Sequence, residues 1–255
     1  MAAKPKKSIV PWMGDLHAGS LVSACPPEFT IHTAGQDKPQ VYLANDIQKR
    51  LHNDLLSYQL RVKNDAKGKR VVLVFGADMA DGPGHHNTLQ TTGDQQDQVD
   101  MAVAMLMPFV NIADDMYGLL GTGGHVGEMG DLDIMIYREL GVPWIGDILE
   151  LEVDGKFLHA QHHFSCSRKP NAAEQALRVL ALDHVGWSSQ KETRKPDCLL
   201  RGHVHLSARG YLARQGIWAG SSGGWKAIDR YSAKMKIVVN DIGGMIWYPS
   251  DNNLE

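Results

Sequence analysis

The chain has 255 residues, is 43% hydrophobic and 22% charged, and carries a formal net charge of -3. That size and balance describe a globular protein with a sizeable core, and the slightly acidic charge excludes a global basic field for gripping nucleic acid. Three widely spaced cysteines, Cys25, Cys166 and Cys198, argue against a disulfide framework and for a reducing compartment. No apolar run reaches the length of a membrane span, and the apolar run near the start is too short for a signal peptide, so the expected location is the cytoplasm.

In chain order, "SIVPWM" reads as a buried strand over 8–13 with Asp15 and His17 at its C-terminal mouth. Residues 21–39, rich in Pro, Gly and Thr, read as an excursion loop. From 40 to 66 the apolar spacing of Ile47, Leu51, Leu55, Leu60 and Val62 predicts an amphipathic helix. A second buried strand, Val71–Phe75, ends in Asp78 and Asp81. A loop over 83–93 contains His85 and His86, and 94–116 reads as a helix bent at Pro108. "YGLLGTGGHVGE" is a strand and turn containing His125. "MGDLDIMIYREL" is a helix stopped by Gly141. "KFLHAQHHFS" is a strand ending in His162 and His163, "NAAEQALRVLALDHVG" a helix and "DCLLRGHVH" a strand ending in His203 and His205. The rest is mostly strand. The alternation predicts an α/β architecture, read as one domain over 1–255.

In open α/β sheets chemistry collects beyond the carboxyl ends of the strands. Here five such ends carry Asp or His. Carboxylate oxygen mixed with imidazole nitrogen suits Zn, Mn, Fe or a similar divalent ion and suits structural Cys-type zinc poorly. The two-residue spacing of His203 and His205 on an extended chain points both the same way, one for each of two neighbouring ions. The bland reading of that pair is two surface histidines in a loop. Two ions roughly 3.5–4 Å apart can clamp a phosphoryl group and activate water.

The order "GDLHAG", "ADMAD", "GTGGH", "HH" and "GHVH" spans residues 14–205. It resembles the calcineurin-like metallophosphoesterases. The strings "GDLHAGS", "ADMADGPGHHNTLQTT", "LLGTGGHVGE" and "HHFS" resemble a phage-borne branch of that superfamily. The resemblance implies a two-layer β-sandwich flanked by helices, with the site at one edge. It implies that Asp15, His17 and His205 hold one ion, that His162 and His203 hold the other, and that Asp78 bridges both. Asp81 would orient a ligand, and His125 would protonate or stabilise the leaving oxygen of a phosphomonoester or phosphodiester. His163 would be a neighbour or a substrate contact.

Two departures stand out. Ala77 precedes Asp78 where the family has glycine, and Gly124 stands before His125 where the family has a ligating asparagine. Water, Thr122 or a histidine of "GPGHH" could supply the missing ligand, with His86 the favoured substitute. The substrate could be nucleic acid or a nucleotide. A nuclease groove would draw on Lys156, Arg168, Lys169, Arg178, Lys191, Arg194 and Lys195. A non-catalytic metal-stabilised binding module and a phage structural protein are the other readings. Met101, Met105, Met107, Trp218 and Trp225 read as packing residues, and His159 as packed in its strand.

Overall fold

The computed structural model describes residues 7–32, 38–82, 89–123, 131–167, 171–190, 193–228 and 240–255. His85, His86, Gly124 and His125 lie outside them, as do Arg168, Lys169 and Lys191.

Two sheets make up the body. One has the order β13-β12-β1-β4-β5-β6, formed by β1 (Ser8–Met13), β4 (Arg70–Phe75), β5 (Asp115–Leu119), β6 (Ile145–Gly146), β12 (Met245–Tyr248) and β13 (Asn253–Leu254). The other has the order β10-β11-β9-β8-β7, from β7 (Ile148–Val153), β8 (Lys156–Gln161), β9 (Cys198–Arg201), β10 (Ala208–Leu212) and β11 (Ile217–Ser221). Each sheet contains a run of parallel strands: β1, β4, β5 and β6 in the first, β8, β9 and β11 in the second. Their carboxyl ends therefore open on the same side within each sheet.

The central strands are apolar on both faces because both faces are covered. Along β1 and β4, Val10, Trp12, Val72 and Val74 face inward and meet Leu158, Ala160, Cys198 and Leu200 of the second sheet. Their alternates, Ile9, Met13, Val71, Leu73 and Phe75, pack outward on helices. Those helices are α1 (Asp46–Asp65), α2 (Gln95–Val110) and α3 (Asp131–Glu139). The outer face of the second sheet carries Leu199, Ile217 and Ala219 against Ala173, Leu177 and Ala181 of α4 (Ala172–Ser189). The architecture is an α/β sandwich of two sheets flanked by helices. Among the described residues no helix is long and apolar enough to cross a membrane.

Several boundaries differ from the sequence expectation. The loop over 21–39 contains β2 (Glu28–Ile31), which pairs antiparallel with β3 (Gln40–Leu43). The helix expected from 40 therefore begins only at Asp46, where Asn45 and Gln48 form a reciprocal capping box. Leu51, Leu55 and Val62 are buried, whereas Ile47 and Leu60 are exposed: a local period does not reveal which part of a helix the neighbouring hairpin leaves uncovered. Helix α2 stops at Val110, two residues after Pro108, and the chain passes into β5 instead of continuing helical to 116. Met101 and Met105 are core residues, Trp225 is buried, and Trp218 packs partly buried against the inter-sheet core.

Gly76 follows β4 directly and is pressed against the inter-sheet core. A Cβ there would lie 2.3 Å from the Trp12 indole, and Trp12 is itself held by a 3.0 Å hydrogen bond from Nε1 to Ser222 Oγ. Gly76→Ala is expected to cost about 1–3 kcal/mol by overpacking, read as a lower urea midpoint. An unchanged midpoint would show that the indole can step aside.

Candidate metal centre

Four strands, β1, β4, β8 and β9, deliver the candidate ligands, and the chain turns sharply just after each. Asp15, His17, Ala77, Asp78, His203 and His205 all have positive φ, between 49° and 73°. Non-glycine residues held in the left-handed region cost on the order of 1 kcal/mol or more each and persist only when surroundings fix them. Here the fixing is a continuation of the β1–β4 ladder past the strand ends. Asp15 N donates to Ala77 O at 2.8 Å, His17 N to Asp78 O at 3.0 Å and Ala18 N to Met79 O at 2.9 Å. Because β9 ends at Arg201 and both later histidines sit in left-handed turns, an extended two-residue alternation is not what places them. The turn sends them to different groups.

The first group is Asp15, His17 and His205, and the second is Asp78, His162 and His203. In each, one donor atom per residue lies within 4.8 Å of the others. In the first, His17 Nε2 faces His205 Nε2 at 3.1 Å, and His205 Nε2 is 3.3 Å from Asp15 Oδ1. In the second, His162 Nε2 is 3.0 Å from Asp78 Oδ2. The His162 ring is locked from behind by its Nδ1 contact with the Gly76 carbonyl. Asp15, His17, Asp78 and His162 are each no more than 1% exposed.

Burial pulls the His162 pKa down, but the Asp78 and Asp15 carboxylates override it and carry it up to about 10. His203 moves the other way, to about 4, through burial and the neighbouring His162. The pocket thus draws positive charge to its centre and keeps a neutral imidazole beside it. Two imidazole nitrogens facing each other at 3.1 Å leave room for at most one proton between them, and a divalent cation would satisfy both lone pairs. Buried carboxylates and imidazoles without thiolate fit a Zn, Mn or Fe class of ion.

Around these donors stands a supporting shell that sequence reading only half sees. Asp78 accepts from Thr122 N at 2.9 Å and from Thr122 Oγ1 at 3.1 Å. Thr122 is thus the described member of the three substitutes considered for the missing amide ligand, and it stands directly against the second group. Gly121 must lack a side chain, since a Cβ would fall 2.1 Å from Asp78 Oδ1. His163 is exposed, its ring centroid 4.9 Å from that of His203. His159 lies apart from both groups, on the outer face of β8, against Arg201 and His184.

Asp133 escaped the sequence reading. It projects from α3 and accepts from the backbone amides of Met79 at 2.9 Å, Gly121 at 3.0 Å and Asp78 at 3.2 Å. It is fully buried, and burial together with the Asp78 charge raises its pKa to about 7. A signal was present: Asp133 shares its helical stripe with buried Ile136 and Tyr137, and an acid on an apolar stripe needs partners.

Of the candidate nuclease groove, Lys156 pairs with Asp197, Arg194 with Glu152, and Lys195 donates to the Gln215 carbonyl. Those basic side chains are engaged locally.

Neither a protein-family model nor a curated protein matches the chain. Among solved structures, an archaeal phosphodiesterase is 9% identical, with a TM-score of 0.48, covering 97% of both chains. The zinc complex of Vps29 from Entamoeba histolytica is 11% identical with a TM-score of 0.44, covering 96% of this chain and 88% of that one. A predicted phosphoesterase from Streptococcus pneumoniae is 9% identical with a TM-score of 0.38, covering 96% and 83%. Values this low do not assign a family.

Asp133→Ala would leave two buried amides and one part-buried amide without their acceptor. It is expected to lower stability by on the order of 3 kcal/mol and to weaken divalent-ion binding by about 10–100-fold. Denaturant unfolding and metal titration, measured on the same preparation, check the two effects.

Proposed function

We propose that the protein is a metal-dependent phosphoester hydrolase with two divalent ions at the strand ends. The observation that supports this is the pair of buried Asp–His–His groups, side by side and drawn from four separate strand ends. Asp15, His17 and His205 would hold one ion, and Asp78, His162 and His203 would hold the other. Thr122, which donates to the Asp78 carboxylate through its amide and hydroxyl, would aim that carboxylate. Bound there, such ions supply charge stabilisation to a phosphoryl group and lower the pKa of water.

The chain's own residues do the rest. Asp133 holds the Asp78 backbone amide, and Thr122 donates to the Asp78 carboxylate and aims it into the site. The Gly76 carbonyl fixes the His162 ring, which leaves Nε2 toward the ion. His163, exposed beside His203, meets the substrate. His125 gives a proton to the leaving oxygen, a role drawn from the sequence pattern alone. The substrate is a phosphomonoester or phosphodiester. On the quoted sequence strings alone, we further propose a phage-encoded enzyme of the host cytoplasm.

The test uses bis-(p-nitrophenyl) phosphate and p-nitrophenyl phosphate with added manganese. Turnover of at least one is expected, with reversible loss on chelation. Asp78→Asn should keep the fold by circular dichroism and reduce turnover at least about 100-fold, because an amide lacks the charge to hold the cation. Turnover that persists in protein shown by metal analysis to be ion-free would defeat this reading.

A further inference from the structure

Among the described residues two basic side chains are buried, Arg201 and Lys226. Arg201 sits on the outer face of its sheet against histidines and carbonyl groups. Lys226 instead lies at the metal centre. Its Nζ donates to Asp81 Oδ1 at 2.8 Å, with the two side chains 6% and 1% exposed. The same Asp81 oxygen is 3.7 Å from His17 Nδ1, the ring nitrogen opposite the one that faces His205. The lysine is fixed by its backbone: residue 226 bridges to Ser23, and the adjacent Trp225 N donates to Asp15 O at 2.9 Å. Asn240 Nδ2 reaches both the Lys226 carbonyl, at 3.2 Å, and His205 Nδ1, at 3.4 Å. The rear of the first group is thus built from one carboxylate, one ammonium and one amide.

We propose that Lys226 is a fixed counter-ion that cancels the charge of Asp81 and so sets how tightly the first ion is held. The inference rests on the metal reading above. Without the ammonium, Asp81 would be a further buried carboxylate, added to Asp15, Asp78 and Asp133, and its uncompensated charge would attract the cation through the His17 ring. In a buried site such a charge is weakly screened. With the ammonium in place, Asp81 remains an acceptor behind His17 and the site presents two carboxylates to the ions. Lys226 is therefore a positioning and charge-setting residue, and its removal should tighten the site it supports. A residue needed only for packing would loosen it.

The experiment strips the protein of divalent ions with a chelator and titrates manganese(II) by calorimetry into four proteins: the parent, Lys226→Met, Asp81→Asn and the double variant. Lys226→Met is expected to bind one of two ions about tenfold more tightly than the parent, and to melt lower when ion-free but recover with manganese. Asp81→Asn leaves the ammonium uncompensated and should bind that ion more weakly, while the double variant should return toward the parent. Equal or weaker binding by Lys226→Met overturns the proposal. If Lys226→Met does not fold, the double variant must bind more tightly than Asp81→Asn, and failure to do so overturns it equally. A parent that takes up no manganese removes the metal reading and this one together. A parent that binds two ions with no tightening in the variants removes this inference alone.

Discussion

Buried negative charge is the constraint on which the strand-end geometry depends. Asp15 and Asp78 are within 1% of complete burial, and an isolated carboxylate in such a place would lose its ionisation or unfold the loop that carries it. Each is therefore surrounded by donors: the His203 amide for Asp15, and the Thr122 amide and hydroxyl for Asp78. Four imidazoles close the remaining sides. The same imbalance appears at His162, whose pKa the Asp78 and Asp15 carboxylates raise against the pull of burial. The left-handed turns follow from this demand. Only a sharp reversal after a strand lets a side chain point back across the strand ends, and the ladder between 15–18 and 77–79 holds those turns in place.

The division of labour between the sheets is simple. The first sheet supplies Asp15, His17 and Asp78 from adjacent parallel strands, and the second supplies His162, His203 and His205. Each donor group takes members from both sheets, so the separation of the sheets sets the geometry of the groups. That separation is filled by Trp12, Val74, Leu158, Ala160 and Leu200. Such interiors are close-packed, so a change of one methyl group there would shift the spacing of the sheets.

Much of this is legible in the chain. The runs "SIVPWM" and "RVVLVF" are apolar at every position but the first, which marks strands covered on both faces, and the acids and histidines that follow them mark their mouths. The hairpin β2–β3 is not legible in the same way. Its strands are short and mostly exposed, so neither a period nor a buried run distinguishes them from loop and helix. Asp133 and Lys226 were missed for another reason. Their roles depend on partners 54 and 145 residues away in the chain; the apolar stripe of α3 marks Asp133 as an acid in need of partners but does not say which. The groups to which His203 and His205 belong are set by turn conformation, which a strand-based reading of their spacing does not contain.

The wide sequence span of the donor groups bears on how the protein is made. His17 and His205 are 188 residues apart, and Asp78 and His162 are 84 apart. In a small zinc domain the ligands are close in sequence, and the ion can gather them and drive folding. Here closing such long loops is unfavourable until both sheets have already formed. Any ion held by these groups would therefore arrive last, in a polypeptide that reaches its native topology without it. On the ribosome, Asp15 and His17 emerge long before the histidine that completes their group, so the nascent chain has no assembled site with which to capture a metal from the cell.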